Sequence, residues 1–141
     1  VESTCYMFNE KVLFTGDTLF LSGVGRPDLK ASSEEAADRA RHLYRSLRSL
    51  LALPPKTMVF PSHTAQPVAF DHTPVCAELG AISSRIASWL TSEESFVRTI
   101  LERIPPSPPN FLRIAELNVA GVLPEGELTD LEAGANRCAV S

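Results

Sequence analysis

At 141 residues, 44% hydrophobic and 21% charged, the chain is long enough for one domain with a sizeable core. A net charge of −4 gives no basic footprint for nucleic acid, and no run is apolar for long enough to span a membrane. Three cysteines, Cys5, Cys76 and Cys138, form neither a CxxC pair nor an even framework, which argues against a zinc ribbon and a disulfide-stapled secreted domain. The N-terminal residues carry no charged-then-apolar leader, and cytoplasm is the expected location.

Residues 5–8 and 11–15 are β-prone runs flanking Asn9-Glu10 and predict a hairpin of two inner strands, although the usual Asn-Gly turn signal is absent. Cys5 is expected to be buried in the first. The second run stops at Gly16-Asp17 and is followed by Gly23-Val24-Gly25-Arg26-Pro27-Asp28. Ser32 and Glu35 have the spacing of a capping box and predict a helix start. Ala36, Ala40, Leu43, Leu47, Leu50 and Leu51 follow the helical period until Pro54-Pro55 ends it. Arg39, Arg41, Arg45, Arg48 and His42 read as the solvated face of that helix rather than an anion site.

Residues 57–60 form a second β-prone run, which ends in Pro61-Ser62-His63-Thr64. A polar loop over 65–74 follows, with His72 as a spare imidazole. Cys76 lies four residues after His72, but Pro74 breaks a helical alignment between them and argues against a catalytic pair. A second helix is predicted with Leu79, Ile82, Ile86, Trp89 and Leu90 on one face, which places Trp89 in the core. Thr91-Ser92-Glu93-Glu94 reads as a capping box for a third, with Phe96, Val97, Ile100, Leu101 and Ile104 inward. The proline-rich stretch 105–109 predicts a rigid corner before a short helix over 111–118. Residues 121–141 are acidic, contain glycine and lack periodicity, so a mobile tail is expected after a domain spanning 1–120.

Two strand ends therefore each present one potential metal ligand, Asp17 and His63. Taken singly, Gly-Asp is also an ordinary turn and a loop histidine is usually polar surface. The ordered set GDTLF, GVGRPD, helix, VFPSHT resembles the C-terminal half of the metallo-β-lactamase fold, and within that superfamily the glyoxalase II and persulfide dioxygenase branch. The resemblance spans residues 3–118. It implies an α/β fold, the second half of an αββα sandwich with mixed strands and helices packed on one side. It also implies Asp17 as a catalytic metal ligand, His63 as a further ligand, and Gly16, Arg26 and Asp28 as support for the site loop.

The HxHxDH signature of that superfamily is absent, and the histidines are His42, His63 and His72. A catalytic zinc takes about three protein ligands, so the two matched residues imply a fragment, inactive alone, of a longer enzyme. The parent implied is a hydrolase that cleaves a thioester with water activated by two zinc ions. The alternative is a dioxygenase that uses one ferrous iron on a persulfide. From another class comes a non-catalytic remnant that serves as an interaction module. Half of such a sandwich leaves a sheet face and a sheet edge uncovered, so self-association or pairing with an N-terminal half is expected.

Overall fold

Asn9 and Glu10 both adopt positive φ, 48° and 55°, and the Lys11 N–H donates to the Phe8 carbonyl at 3.1 Å. Positive φ at both central residues is the two-residue turn whose twist matches that of antiparallel strands. It joins β1 (Tyr6–Phe8) to β2 (Val12–Gly16), with Tyr6 opposite Phe14 and Phe8 opposite Val12. The computed structural model describes residues 3–64, 68–107, 109–124, 128, 131 and 139–140.

The capping box forms at Ser32, whose Oγ accepts from the Glu35 N–H at 3.3 Å while Glu35 Oε2 accepts from the Ser32 N–H at 2.7 Å. It opens α1 (Ser33–Leu50). This helix carries the chain back so that β4 (Met58–Pro61) lies parallel to β2, with Leu13 beside Val59 and Phe14 beside Phe60. β5 (Ala77–Glu78) adds antiparallel to β4, giving the sheet order β1-β2-β4-β5. The fold is thus mixed α/β, with β2 and β4 as the inner strands. The hairpin is present, but β1 is an edge strand, a correction to the expectation of two inner strands. Cys5, just before it, is accordingly half-buried rather than buried.

Leu13 and Val59 point to the same face and meet Leu47 of α1, Leu79, Ile82 and Ile86 of α2 (Leu79–Ile86), and Phe96 and Ile100 of α3 (Glu93–Glu102). Burying each such side chain stabilises by roughly 1.5–3 kcal/mol relative to exposure. The Tyr44 and Phe96 rings, 5.5 Å apart, pack α1 on α3. Alternation along the strands turns Tyr6, Phe8 and Phe14 to the opposite face, where they remain 67%, 62% and 47% exposed.

Two helix details differ from the sequence reading. α2 tightens into a 3₁₀ turn at Ala87–Trp89, which rotates Trp89 off the Leu79/Ile82/Ile86 stripe. Trp89 is therefore half-buried at the core margin, with the Arg103 guanidinium 5.3 Å over its ring. α3 is capped by Ser92, whose Oγ accepts from the Ser95 N–H at 3.1 Å, rather than through a box opened by Thr91. Serine outranks threonine as a cap, and the choice moves the helix start by one residue.

α4 (Phe111–Ala120) ends on Gly121 at φ 65°, the left-handed cap that glycine supplies most cheaply. β3 (Val24–Gly25) pairs antiparallel with β6 (Ala139–Val140), and Val24 and Val140 are both fully buried. A part of the tail for which no regular structure was expected thus contributes a strand. Residues 125–127, 129–130, 132–138 and 141 of that tail, and 65–67 of the predicted loop, lie outside the described residues. Among the described residues no helix is long and apolar enough to cross a membrane.

Candidate functional site

The parallel pairing of β2 and β4 brings their C-terminal ends together, the position where α/β sheets commonly gather functional groups. The register shifts between Phe14 and Gly16, so that Gly16 pairs with Pro61, and Gly16 takes φ 49°. Such a bulge bends the strand and re-aims the residue that follows it. A side chain at Gly16 would also come within 2.7 Å of Ser3 Oγ.

Asp17 is held by its own backbone. Its N–H donates to Ser3 Oγ at 3.0 Å, and its carbonyl lies so close to Gly25 that a Cβ there would sit 1.9 Å from the oxygen. Thr15, fully buried, donates from Oγ1 to the Leu19 carbonyl at 2.6 Å and braces the loop that follows. On the other strand, the Ser62 N–H donates to the Gly16 carbonyl at 3.3 Å, and the Phe20 ring stands edge-on to the His63 ring at 6.1 Å.

These anchors place His63 Nδ1 2.7 Å from Asp17 Oδ1, although the residues are 46 apart in sequence. Ser62 Oγ donates to the same Oδ1 at 2.5 Å and lies 2.9 Å from His63 Nδ1. The Asp17 and His63 side chains are 58% and 38% exposed and so remain open to a ligand from solvent. Asp17 also borders a cleft of about 710 Å³, shared with Ser3, Thr18, Arg39, His42 and Ser46.

Arg26 and Asp28 sit beside this centre and pair with each other. Arg26 donates from Nε to Asp28 Oδ1 at 2.8 Å and from Nη2 to Oδ2 at 2.7 Å. It also reaches the carbonyls of Pro105 at 2.9 Å and Pro106 at 3.3 Å. Burial pushes the Asp28 carboxyl up, but the hydrogen bonds and charge of Arg26 outweigh it and hold the group below its ordinary value. The pair ties the loop after β3 to the proline corner.

One carboxylate and one imidazole suit a divalent transition ion. Among the described residues, no group of three or more His, Cys, Asp and Glu side chains gathers to hold a metal. His72, with φ 66° and its ring 5.9 Å from that of Phe70, therefore does not complete the pair. The residues present fit part of a metal centre. Sequence reasoning passed over Ser3, Gly25 and Ser62. Ser62 was legible as a hydroxyl adjoining a candidate ligand, whereas Ser3 and Gly25 act through close approaches that only folding creates.

The metallo-beta-lactamase superfamily model matches residues 3–63, the stretch that carries Asp17, Ser62 and His63. A protein of Burkholderia pseudomallei (strain 1710b) named a probable metallo-hydrolase is 34% identical over 119 residues, covering 81% of this chain and 39% of its own. The crystal structure of a metallo-beta-lactamase from Staphylococcus aureus subsp. aureus COL matches with a TM-score of 0.62 and 25% identity, over 77% of this chain and 31% of that one. The chain spans well under half the length of either protein. Family model, relative and solved structure together make this chain similar to proteins of the metallo-β-lactamase superfamily.

Proposed function

We propose that the chain is the part of a metal-dependent hydrolase that contributes Asp17 and His63 to a centre whose other ligands come from elsewhere in the enzyme. The observation that carries this reading is the meeting of those two side chains, 2.7 Å apart, at the ends of two parallel strands. A glyoxalase II-like cleavage of a small thioester in the cytoplasm, with two zinc ions, is the specific activity proposed.

A divalent ion held there would supply Lewis acidity, to polarise a substrate carbonyl and to make a water acidic enough to attack near neutral pH. Asp17 and His63 would hold it. The Gly16 bulge and Ser3 aim the carboxylate, the Phe20 edge sets the plane of the His63 ring, and the cleft bordered by Thr18 and Ser46 gives substrate an approach. Arg26 and Asp28 keep the flanking loop in place. The exposed Tyr6, Phe8 and Phe14 face is proposed to be covered by the rest of the enzyme, or by a second copy when the chain stands alone.

Grafting this chain into the Burkholderia relative, in place of the segment it matches, tests the reading. A cooperatively folded fusion should retain zinc after desalting and hydrolyse a thioester, and Asp17→Ala should lose both. Retention of iron with dioxygen uptake on a persulfide would favour the dioxygenase alternative. A folded fusion that holds neither metal would leave only the interaction module.

A further inference from the structure

We propose that β6 is a strap that positions Asp17, with Val140 as its positioning residue. By pairing with β3 and burying Val140, it holds β3 against the backbone that aims the Asp17 carboxylate. The use of that carboxylate as a metal ligand rests on the function proposed above, whereas the strap stands on strand pairing and burial.

Residues 18–25 fold back on themselves beside Asp17. The Phe20 N–H donates to the Gly23 carbonyl at 2.9 Å, the Gly25 N–H donates to the Thr18 carbonyl at 3.2 Å, and Leu19 bridges antiparallel to Val24. Two strands this short are marginal by themselves in water, and a third strand with an apolar face is what makes such a ribbon stable. β6 supplies both. Val24 pairs with Val140 as well as with Leu19, and Gly25 pairs with Ala139, so β3 is the middle of three extended segments. Leu19, Val24 and Val140 are all fully buried and belong to one apolar cluster with Leu13 of β2.

The ribbon touches both halves of the site. A Cβ on Gly25 would stand 1.9 Å from the Asp17 carbonyl oxygen, so β3 is the wall against which the Asp17 backbone rests. Phe20, at the turn of the ribbon, sets its ring edge-on to His63. The tail that delivers β6 is itself pinned on the way, since Asn110 Nδ2 donates to the Leu131 carbonyl at 3.2 Å. Asn110 follows the corner whose Pro105 and Pro106 carbonyls accept from Arg26, and tail and corner therefore converge on the loop 24–28. With the Val140 side chain trimmed, β3 falls back on the Leu19 and Thr18 contacts of a two-stranded hairpin, and the Asp17 carbonyl loses its fixed wall.

The test is amide hydrogen exchange and ¹⁵N–¹H spectra of the labelled 141-residue chain, wild type against Val140→Ala, with Ile100→Val of α3 as a core variant outside the ribbon. In Val140→Ala the Thr18, Phe20 and Gly25 amides should gain about tenfold in exchange rate over and above any gain at the Ala40 and Leu47 amides of α1. The Asp17 and Ser62 amide signals should move with them. Ile100→Val should lower the urea midpoint and leave the Asp17 signal in place. Equal acceleration in ribbon and α1, or an Asp17 signal that Val140→Ala does not move or that Ile100→Val moves as far, would make Val140 a core residue and nothing more, and would overturn the proposal. Zinc titrated into the same samples separates the strap from the metal reading, and weaker binding in Val140→Ala is expected. If zinc binds wild type and Val140→Ala alike and the Asp17 signal stays in place in the variant, the metal reading stands and the strap falls. If the ribbon loosens and Asp17 moves but zinc perturbs neither protein, the strap stands and the metal reading falls.

Discussion

Arg26 grips Asp28 across a single proline with two charge-assisted hydrogen bonds of 2.7 and 2.8 Å, while its guanidinium, 2% exposed, also caps two carbonyls some 80 residues away. The planar fork of arginine makes four such contacts at once, which lysine cannot copy. Removing one partner of a buried pair strands the other. Arg26→Met should therefore cost about 3 kcal/mol, at the lower end of the range for breaking a buried pair because Asp28 is 22% exposed. Arg26→Lys should recover only part of it, as read by urea denaturation.

The same pair sets a pH dependence. The folded Asp28 carboxyl lies below its ordinary value of 3.8, so its stabilisation is complete above that value and disappears as pH falls through the lower folded one. Glu35, lowered chiefly by the backbone N–H of Ser32, acts in the same direction. Urea midpoints measured between about pH 2 and 7 should fall at the acid end, and Asp28→Asn should flatten that fall. An unchanged acid limb in the variant would show that Asp28 is not its source.

Two glycines aim Asp17, and alanine should damage each for a different reason. At Gly16 the positive φ costs an L-residue about 1–2 kcal/mol, and the added methyl also meets Ser3. At Gly25 the obstacle is the Asp17 carbonyl itself, a backbone atom with nowhere to go. Gly25→Ala is expected to be the more disruptive, with the larger changes in the Asp17 and Ser62 amide signals. Equal, small shifts in both variants would refute the close-approach account.

Tyr6, Phe8 and Phe14 form an uncharged aromatic ridge on a sheet whose edge strand, β1, has no partner on its outer side among the described residues. Exposed faces and edges of this kind drive association. The isolated chain should sediment as a concentration-dependent mixture, and the double variant Tyr6→Lys, Phe8→Lys should shift it toward monomer. A sharp, monomeric unfolding transition at high temperature for the wild-type chain would contradict the expectation.

Glu10 occupies the second turn position at φ 55°, a conformation that charged, Cβ-bearing residues adopt at a cost. Glu10→Gly should raise stability by about 1 kcal/mol, within the range of that penalty. Its thermal midpoint, compared with that of the wild type, gives the check.

Much of this architecture was legible because it depends on local chemistry. The Ser32 capping box, the Leu43/Leu47 stripe and the Pro54-Pro55 stop specify α1 within a few turns of chain. The hairpin could be read from its flanking runs without a turn signal, since a β-prone run on each side leaves little else for Asn9-Glu10 to do. Trp89 was misplaced because periodicity assumes that α2 continues, and the tightening after Ile86 is set by packing. The two-residue strands at Val24, Ala77 and Ala139 carry no pattern long enough to see; their pairing is made by distant partners.

The sequence alone determined which residues could carry chemistry here, an aspartate after a strand and a histidine after another, because strand-ending Gly-Asp and Pro-Ser-His are visible as text. Tertiary structure decided that they meet. The parallel register of β2 and β4, the bulge at Gly16 and the Gly25 approach to the Asp17 backbone are relations between segments far apart in the chain, and only folding converts them into a 2.7 Å contact with Ser62 closing the triangle.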